Sequence, residues 1–182
     1  RGGEVGNIAS VASFFVSRID ATVDALLEVR IREGDVNLRP LLGRAATSNA
    51  RLVYGLFKEI FGGERFAALR ARGARVQRPL WASTGTKNPE DPPTKYVAAF
   101  AGSDIETNPP ATNDAVEASG LEFTRQIDQM PAIKVLDEID EQVDMAHLER
   151  VLMDEGIQKF ADPQKSLLAL IADKRSDLTS TP

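Results

Sequence analysis

Ala12-Ser-Phe-Phe-Val-Ser-Arg-Ile-Asp20 and Arg78-Pro-Leu-Trp-Ala-Ser-Thr-Gly-Thr-Lys-Asn-Pro89 decide the fold of this chain. Each is an apolar run of strand length that ends in small hydroxyl residues and then one cation, Arg18 or Lys87. Each leads into a stretch that reads as helix. This is the layout of a parallel strand whose C-terminal end offers polar groups to a ligand, so the fold class is α/β. Two such ends with one cation each predict a shared anion site, most simply for a phosphate.

Outward from these segments the pattern is helical. The first strand is expected over 11–16. Val23, Leu26, Leu27 and Ile31 recur at helical spacing after Asp20. A loop is expected over 34–40. The strongest helix of the first half is expected over 44–61, with Ala45, Ala46, Ala50, Val53, Leu56, Phe57 and Ile60 on its buried face and Gly62-Gly63 as its stop. A shorter helix over 64–71 ends at Gly73, and the second strand runs over 76–83. Prolines 89, 92 and 93 keep the next segment irregular. A short helix over 94–101, a third strand over 105–108 and a helix over 112–119 follow. Helices are then expected over 131–140, 145–156 and 161–175, with 176–182 as a frayed tail.

Strands separated by helical crossovers are parallel. Three of them leave two open edges, and parallel strands are normally covered on both faces. Val11, Phe14, Phe15, Val16, Leu80 and Trp81 make these strands too apolar for an exposed face. The chain therefore reads as part of a larger sheet.

With 182 residues, 42% hydrophobic and 27% charged, the chain has the composition of a soluble domain with a real core. It has no cysteine and a single histidine, His147, which excludes disulfides, thiolate sites and multi-histidine metal sites. No apolar run approaches the roughly 20 residues that span a membrane. Residues 1–5 are polar and carry no signal-peptide core, so a cytoplasmic location is expected. Charge is uneven. Residues 1–90 hold 14 Lys and Arg against 9 Asp and Glu, whereas 91–182 hold 8 against 18. The acidic total argues against nucleic-acid binding. The basic half would suit a small anionic substrate, although the arginines from Arg65 to Arg78 read more simply as a solvated helix face and loop.

Arg18 follows a strand and precedes a helix, where a guanidinium can grip phosphate oxygens with two parallel hydrogen bonds. It reads equally as a surface arginine paired with Asp20 or Glu28. Lys87 closes a run of hydroxyl residues that could cradle an anion, or it is an exposed lysine on a polar loop. In a strand, Ser13 and Ser17 would face one side with Phe15. Trp81 reads as a core residue. Asn108 reads as turn chemistry, the carboxylates between Asp137 and Asp144 as solvated, and helical His147 has no partner at a telling spacing. No Walker loop, Rossmann fingerprint or nucleophile elbow is present. No Lys or Glu is expected within an apolar strand, where burial would shift its pKa toward catalysis. These residues describe an anion site without its catalyst.

The two strand motifs, together with Gly43-Arg-Ala-Ala-Thr-Ser-Asn-Ala-Arg-Leu52 and Gly156-Ile-Gln-Lys-Phe-Ala-Asp162, resemble the bacterial transaldolases, most closely the actinobacterial type. The resemblance covers nearly the whole chain. It implies the C-terminal portion, about three βα units, of a (β/α)8 TIM barrel, a fold of about 250 residues. Residues 1–175 would form that C-terminal half. The activity it implies is transfer of a dihydroxyacetone unit between sugar phosphates in the pentose phosphate pathway, through a lysine Schiff base and without cofactor or metal. The lysine and the acid/base carboxylates would precede Arg1, leaving no catalytic residue here. By the same resemblance, Ser13 is the active-site serine of strand six, Phe15 lines the pocket and Arg18 binds substrate phosphate. Lys87 stands where many relatives carry a second phosphate-binding arginine, and a point charge there changes the geometry of the grip. Gly85 replaces a serine common in close relatives. The implied partners are sugar phosphates and the N-terminal half of the barrel. The alternative is an inactive half-barrel that binds sugar phosphate or associates with itself.

Overall fold

The computed structural model describes residues 3–180. By contact it divides into two compact units, Arg1–Val143 and Asp144–Pro182.

The first unit is built on three parallel strands in the order β1 (Val11–Phe15), β2 (Arg78–Ala82) and β3 (Ile105–Glu106). Ser13 lies opposite Leu80, which lies opposite Ile105; Phe14 lies opposite Trp81, which lies opposite Glu106. Since successive side chains alternate, these two rows face opposite sides of the sheet. The Phe14–Trp81 row is the covered one. Trp81 is fully buried between Phe14, with ring centroids 5.3 Å apart, and Phe100, stacked at 5.1 Å. Val16, Ala46, Ala50, Tyr54, Tyr96 and Ile127 complete this core. The other face is open: Val11 and Phe15 are 46% and 41% exposed, and Ser13 between them is exposed too. The sheet is thus helix-rich on one side and bare on the other, as expected of a few staves from a larger barrel.

Helix α1 (Ser17–Glu33) buries Val23, Leu27 and Ile31, while Leu26 stays 38% exposed. The segment expected as a loop after Gly34 forms a 3-10 turn, Val36–Leu41, because Leu38 and Leu41 fold in as core. Helix α2 (Ala45–Gly62) buries Ala45, Ala46, Ala50 and Tyr54. Its expected apolar face is only partly covered: Leu56 and Ile60 are more than half exposed, and with Phe14, Phe57 and Pro79 they edge an apolar groove of about 130 Å³. Helix α3 (Glu64–Arg70) leads to β2, which begins two residues later than expected and stops at Ala82 because Ser83 takes a left-handed φ of 57°. Helix α4 is Lys95–Phe100. Strand β3 is shorter than expected, although Thr107 N still donates to Trp81 O. Helix α5 (Pro110–Ser119) starts on its proline, whose missing N–H is an unpaired first-turn donor in any helix. Helix α6 is Ile133–Gln142.

The second unit is a single helix, α7 (Met145–Ser180). Two helices and a frayed tail were expected here. Gly156 and Pro163 both lie inside the helix, although a glycine costs about 1 kcal/mol there and a proline, which loses one hydrogen bond and crowds the carbonyl four residues back, about 3 kcal/mol. Residues 176–180 continue the helix, and 181–182 lie outside the described residues.

Candidate functional site

The strands end side by side. Val16 N donates to Ala82 O and Ser17 N to Ser83 O, which carries the β1–β2 ladder two residues past the strands. Ser17, fully buried as the first residue of α1, shares a 2.9 Å hydrogen bond between its Oγ and Ser83 Oγ. Ser17 therefore leaves the strand face on which Ser13 and Phe15 lie. The buried Thr84 hydroxyl donates to Asn108 Oδ1 at 2.7 Å, with Thr107 O at 3.0 Å, and so ties the end of β2 to the end of β3. The left-handed φ of Ser83, uncommon for a residue with a Cβ, turns the chain at the point where this serine meets Ser17.

Ser13 and Phe15 lie on the open face of β1, and the Arg18 guanidinium sits 5.2 Å from the Phe15 ring centroid. Arg18 makes no ion pair with Asp20, Glu28 or any other of the described residues, so the surface-pair alternative is not what forms. Lys87 is exposed, makes no ion pair among the described residues, and lines a cleft of about 300 Å³ with Ser17, Asn88 and the carboxylates Asp20, Asp24, Glu28 and Asp91. That cleft does not include Arg18. The two cations stand at neighbouring strand ends, neither in an ion pair among the described residues, but they do not line one pocket.

What holds Arg18 in place was not apparent from the motif. Two residues on, Asp20 is 4% exposed and accepts three hydrogen bonds: from Ala46 N at 2.7 Å, Tyr96 Oη at 2.7 Å and Lys95 Nζ at 3.2 Å. One carboxylate thus joins the first turn of α1 to the N-terminus of α2, where a negative charge is favoured, and to α4. Burial, reinforced by the Asp20 charge, keeps the Tyr96 phenol protonated well above its ordinary range. Burial alone would lower Lys95, yet its bonds to Asp91 (2.9 Å) and Asp20 hold it above its usual value. Asp24, one turn further, accepts from Gly43 N at 2.8 Å, and burial pushes its carboxyl up to about 6. Gly43 is required there: its φ is +68°, and a Cβ would come within 2.7 Å of Lys95 Nζ.

The family model described as Transaldolase/Fructose-6-phosphate aldolase matches residues 3–171. The chain belongs to that family. It is similar to the "Transaldolase" of Mycolicibacterium smegmatis, 44% identical over 172 residues, which cover 92% of this chain and 45% of that protein. It is also similar to the "Transaldolase" of Thermobifida fusca, 42% identical over 177 residues (95% and 47%), and to that of Parafrankia sp., 41% identical over 183 residues (98% and 49%). The chain spans about half the length of the curated relatives it matches.

Within this transaldolase-family chain one expectation needs correction. Glu106 does sit in a strand, half-buried, with Oε1 shielded and without a partner among the described residues, and burial pushes its carboxyl up to about 7. Its register opposite Trp81 puts it on the covered side of the sheet, away from Ser13 and Phe15. No sequence periodicity marks it, because a two-residue strand has none. Asn108 serves to fix Thr84, and His147 is exposed on α7. Among the described residues no group of His, Asp and Glu is arranged to hold a metal ion, and no helix is long and apolar enough to cross a membrane. At the strand ends the hydroxyls of Ser17, Ser83 and Thr84 are bonded within the fold, and Arg18 and Lys87 make no ion pair among the described residues.

Proposed function

We propose that the complete protein is a transaldolase of the pentose phosphate pathway, located in the cytoplasm. It transfers a dihydroxyacetone unit from a ketose phosphate to an aldose phosphate through a Schiff base on a lysine outside residues 1–182. The single observation that carries this reading is the pair of parallel strand ends, each with a cation that makes no ion pair among the described residues, beside a bare sheet face in a chain of the transaldolase family. On this reading residues 1–175 form the C-terminal half of a (β/α)8 barrel, 176–182 are its tail, and the N-terminal half covers the exposed Val11–Ser13–Phe15 face. Active sites of such barrels lie at the C-terminal ends of the strands.

The roles follow from charge and position. Arg18 grips the substrate phosphate through a bidentate guanidinium, its plane steadied by the Phe15 ring. Lys87 adds a second positive charge without a fixed fork. Ser13 offers a hydroxyl on the pocket face and Phe15 an apolar wall. A protonated imine at the donor carbonyl takes up the electron pair of the bond between its α- and β-carbons as that bond breaks, while the β-hydroxyl gives its proton to a carboxylate outside residues 1–182 and leaves as the aldehyde, so no metal is required. Phosphate binding at Arg18 and Lys87 holds the sugar chain in line for that step.

The test is borohydride trapping. The complete protein, incubated with a ketose phosphate and then reduced, should gain the mass of a reduced dihydroxyacetone adduct on a lysine outside residues 1–182. An unmodified protein that still binds the sugar phosphate would overturn the reading.

A further inference from the structure

Arg51, on α2, lines a pocket with Ala98 and Ala99 of α4, and it is the one arginine whose Nε is shielded from solvent without a hydrogen-bond partner among the described residues. Its guanidinium makes no ion pair there either. Burial, and the nearby Arg44 charge, pull its proton affinity below the usual arginine value. Such a group calls for an anion.

The surroundings are donors. Arg51 lines a pocket of about 360 Å³ with Ala98, Ala99 and the segment 121–126. Gln126 Nε2 donates to Thr124 Oγ1 at 3.2 Å, which leaves the Thr124 hydroxyl hydrogen free to donate in turn. The backbone N–H groups of Glu122, Phe123 and Thr124 have no acceptor among the described residues. Leu121 and Phe123 supply apolar walls. Glu122 shares the lining but makes no ion pair with Arg51, so the positive charge is not answered from within. Neither Arg18 nor Lys87 borders this pocket.

We propose that the Arg51 pocket is a second oxyanion site, distinct from the strand ends, that takes the phosphate or carboxylate of a small metabolite. A planar guanidinium with two parallel donors matches either group, and the volume admits a ligand larger than the bare ion. The inference stands apart from the transaldolase reading, since it invokes none of the residues named there.

Inorganic phosphate is the probe. The complete protein carrying Arg18→Gln and Lys87→Gln, in which the strand-end cations are gone, is titrated with phosphate by calorimetry. One saturable equivalent is expected. Adding Arg51→Gln should weaken it at least about tenfold, and Glu122→Gln should tighten it. With Arg51 intact, phosphate should also shift the backbone amide resonances of 122–126, a readout that holds even if the Arg51 variant fails to fold. Absence of saturable binding, or binding indifferent to Arg51→Gln, would overturn the site. So would the finding that a carboxylate side chain of the complete protein already occupies the pocket and excludes phosphate.

Discussion

Tyr96 donates its hydroxyl to Asp20 Oδ2 across 2.7 Å, joining residues 76 positions apart. Asp20 closes the first turn of the helix that carries Arg18, and Tyr96 lies in the core beneath Trp81 and Phe100. The placement of the strand-end cation is thereby coupled to the packing of the sheet.

The two ends of this bond should differ in what they cost. Tyr96→Phe removes one donor but leaves Asp20 with Ala46 N and Lys95 Nζ, so a loss of about 1–2 kcal/mol is expected. Asp20→Ala strips three buried donors of their acceptor and leaves Lys95 with Asp91 alone, for an expected loss of about 3–5 kcal/mol. Urea unfolding of both variants measures the difference. Equal losses would mean that the carboxylate is not the hub.

Trp81 gives a second contrast. Trp81→Ala opens a cavity between Phe14 and Phe100 and should cost about 3–5 kcal/mol. Trp81→Phe keeps an aromatic ring in the stack and removes an indole N–H that has no acceptor among the described residues. Its cost should stay under about 1.5 kcal/mol, because the lost volume is offset by the lost orphan donor. A Phe variant as unstable as the Ala variant would show that the indole makes a bond through an ordered water.

How much of this was legible in the sequence depends on range. The strands were visible because alternation and terminal hydroxyls act over a few residues, and the Arg18 and Lys87 strand ends follow from them. Helix α2 was visible in its alanines, yet the exposure of Leu56 and Ile60 depends on what covers them, which local pattern does not carry. Gly156 and Pro163 resemble breaks by propensity alone, a weak prior that α7 overrides. The Asp20 clamp was hidden because its partners lie 26, 75 and 76 positions away. Glu106 and Arg51 were hidden for a related reason: their importance lies in missing partners, which only three dimensions reveal.

Arg18 is the residue on which the proposed activity turns. In the complete protein, Arg18→Ala should raise KM for a phosphorylated donor about ten- to a hundredfold, the loss of one charge-assisted pair of roughly 1.5–3 kcal/mol. Arg18→Lys should recover part of it, since it keeps the charge and loses the fork. Turnover of an unphosphorylated ketose should hardly change. A KM that stays constant for the phosphorylated donor would remove Arg18 from the phosphate site.

Two carboxyls give a pH signature with a definite sign. Burial raises Asp24 from 3.8 to about 6, against the opposing bond from Gly43 N, and raises Glu106 from 4.5 to about 7. In each case the folded state binds the proton more tightly than the unfolded chain. Their contribution to stability is therefore fully present below about pH 4 and is lost as pH rises through 6 and 7. Glu106→Gln keeps the side-chain shape and cannot ionise. It should match the parent at pH 4 and become progressively more stable than the parent between pH 4.5 and 7, with no further gain above that. Asp24→Asn should diverge earlier, between pH 4 and 6, while its carbonyl oxygen still accepts from Gly43 N. Urea midpoints measured from pH 4 to 8 give these curves directly. Parallel profiles for Glu106→Gln and the parent would mean that Glu106 ionises normally, with a partner for Oε1 supplied by solvent or by the rest of the protein.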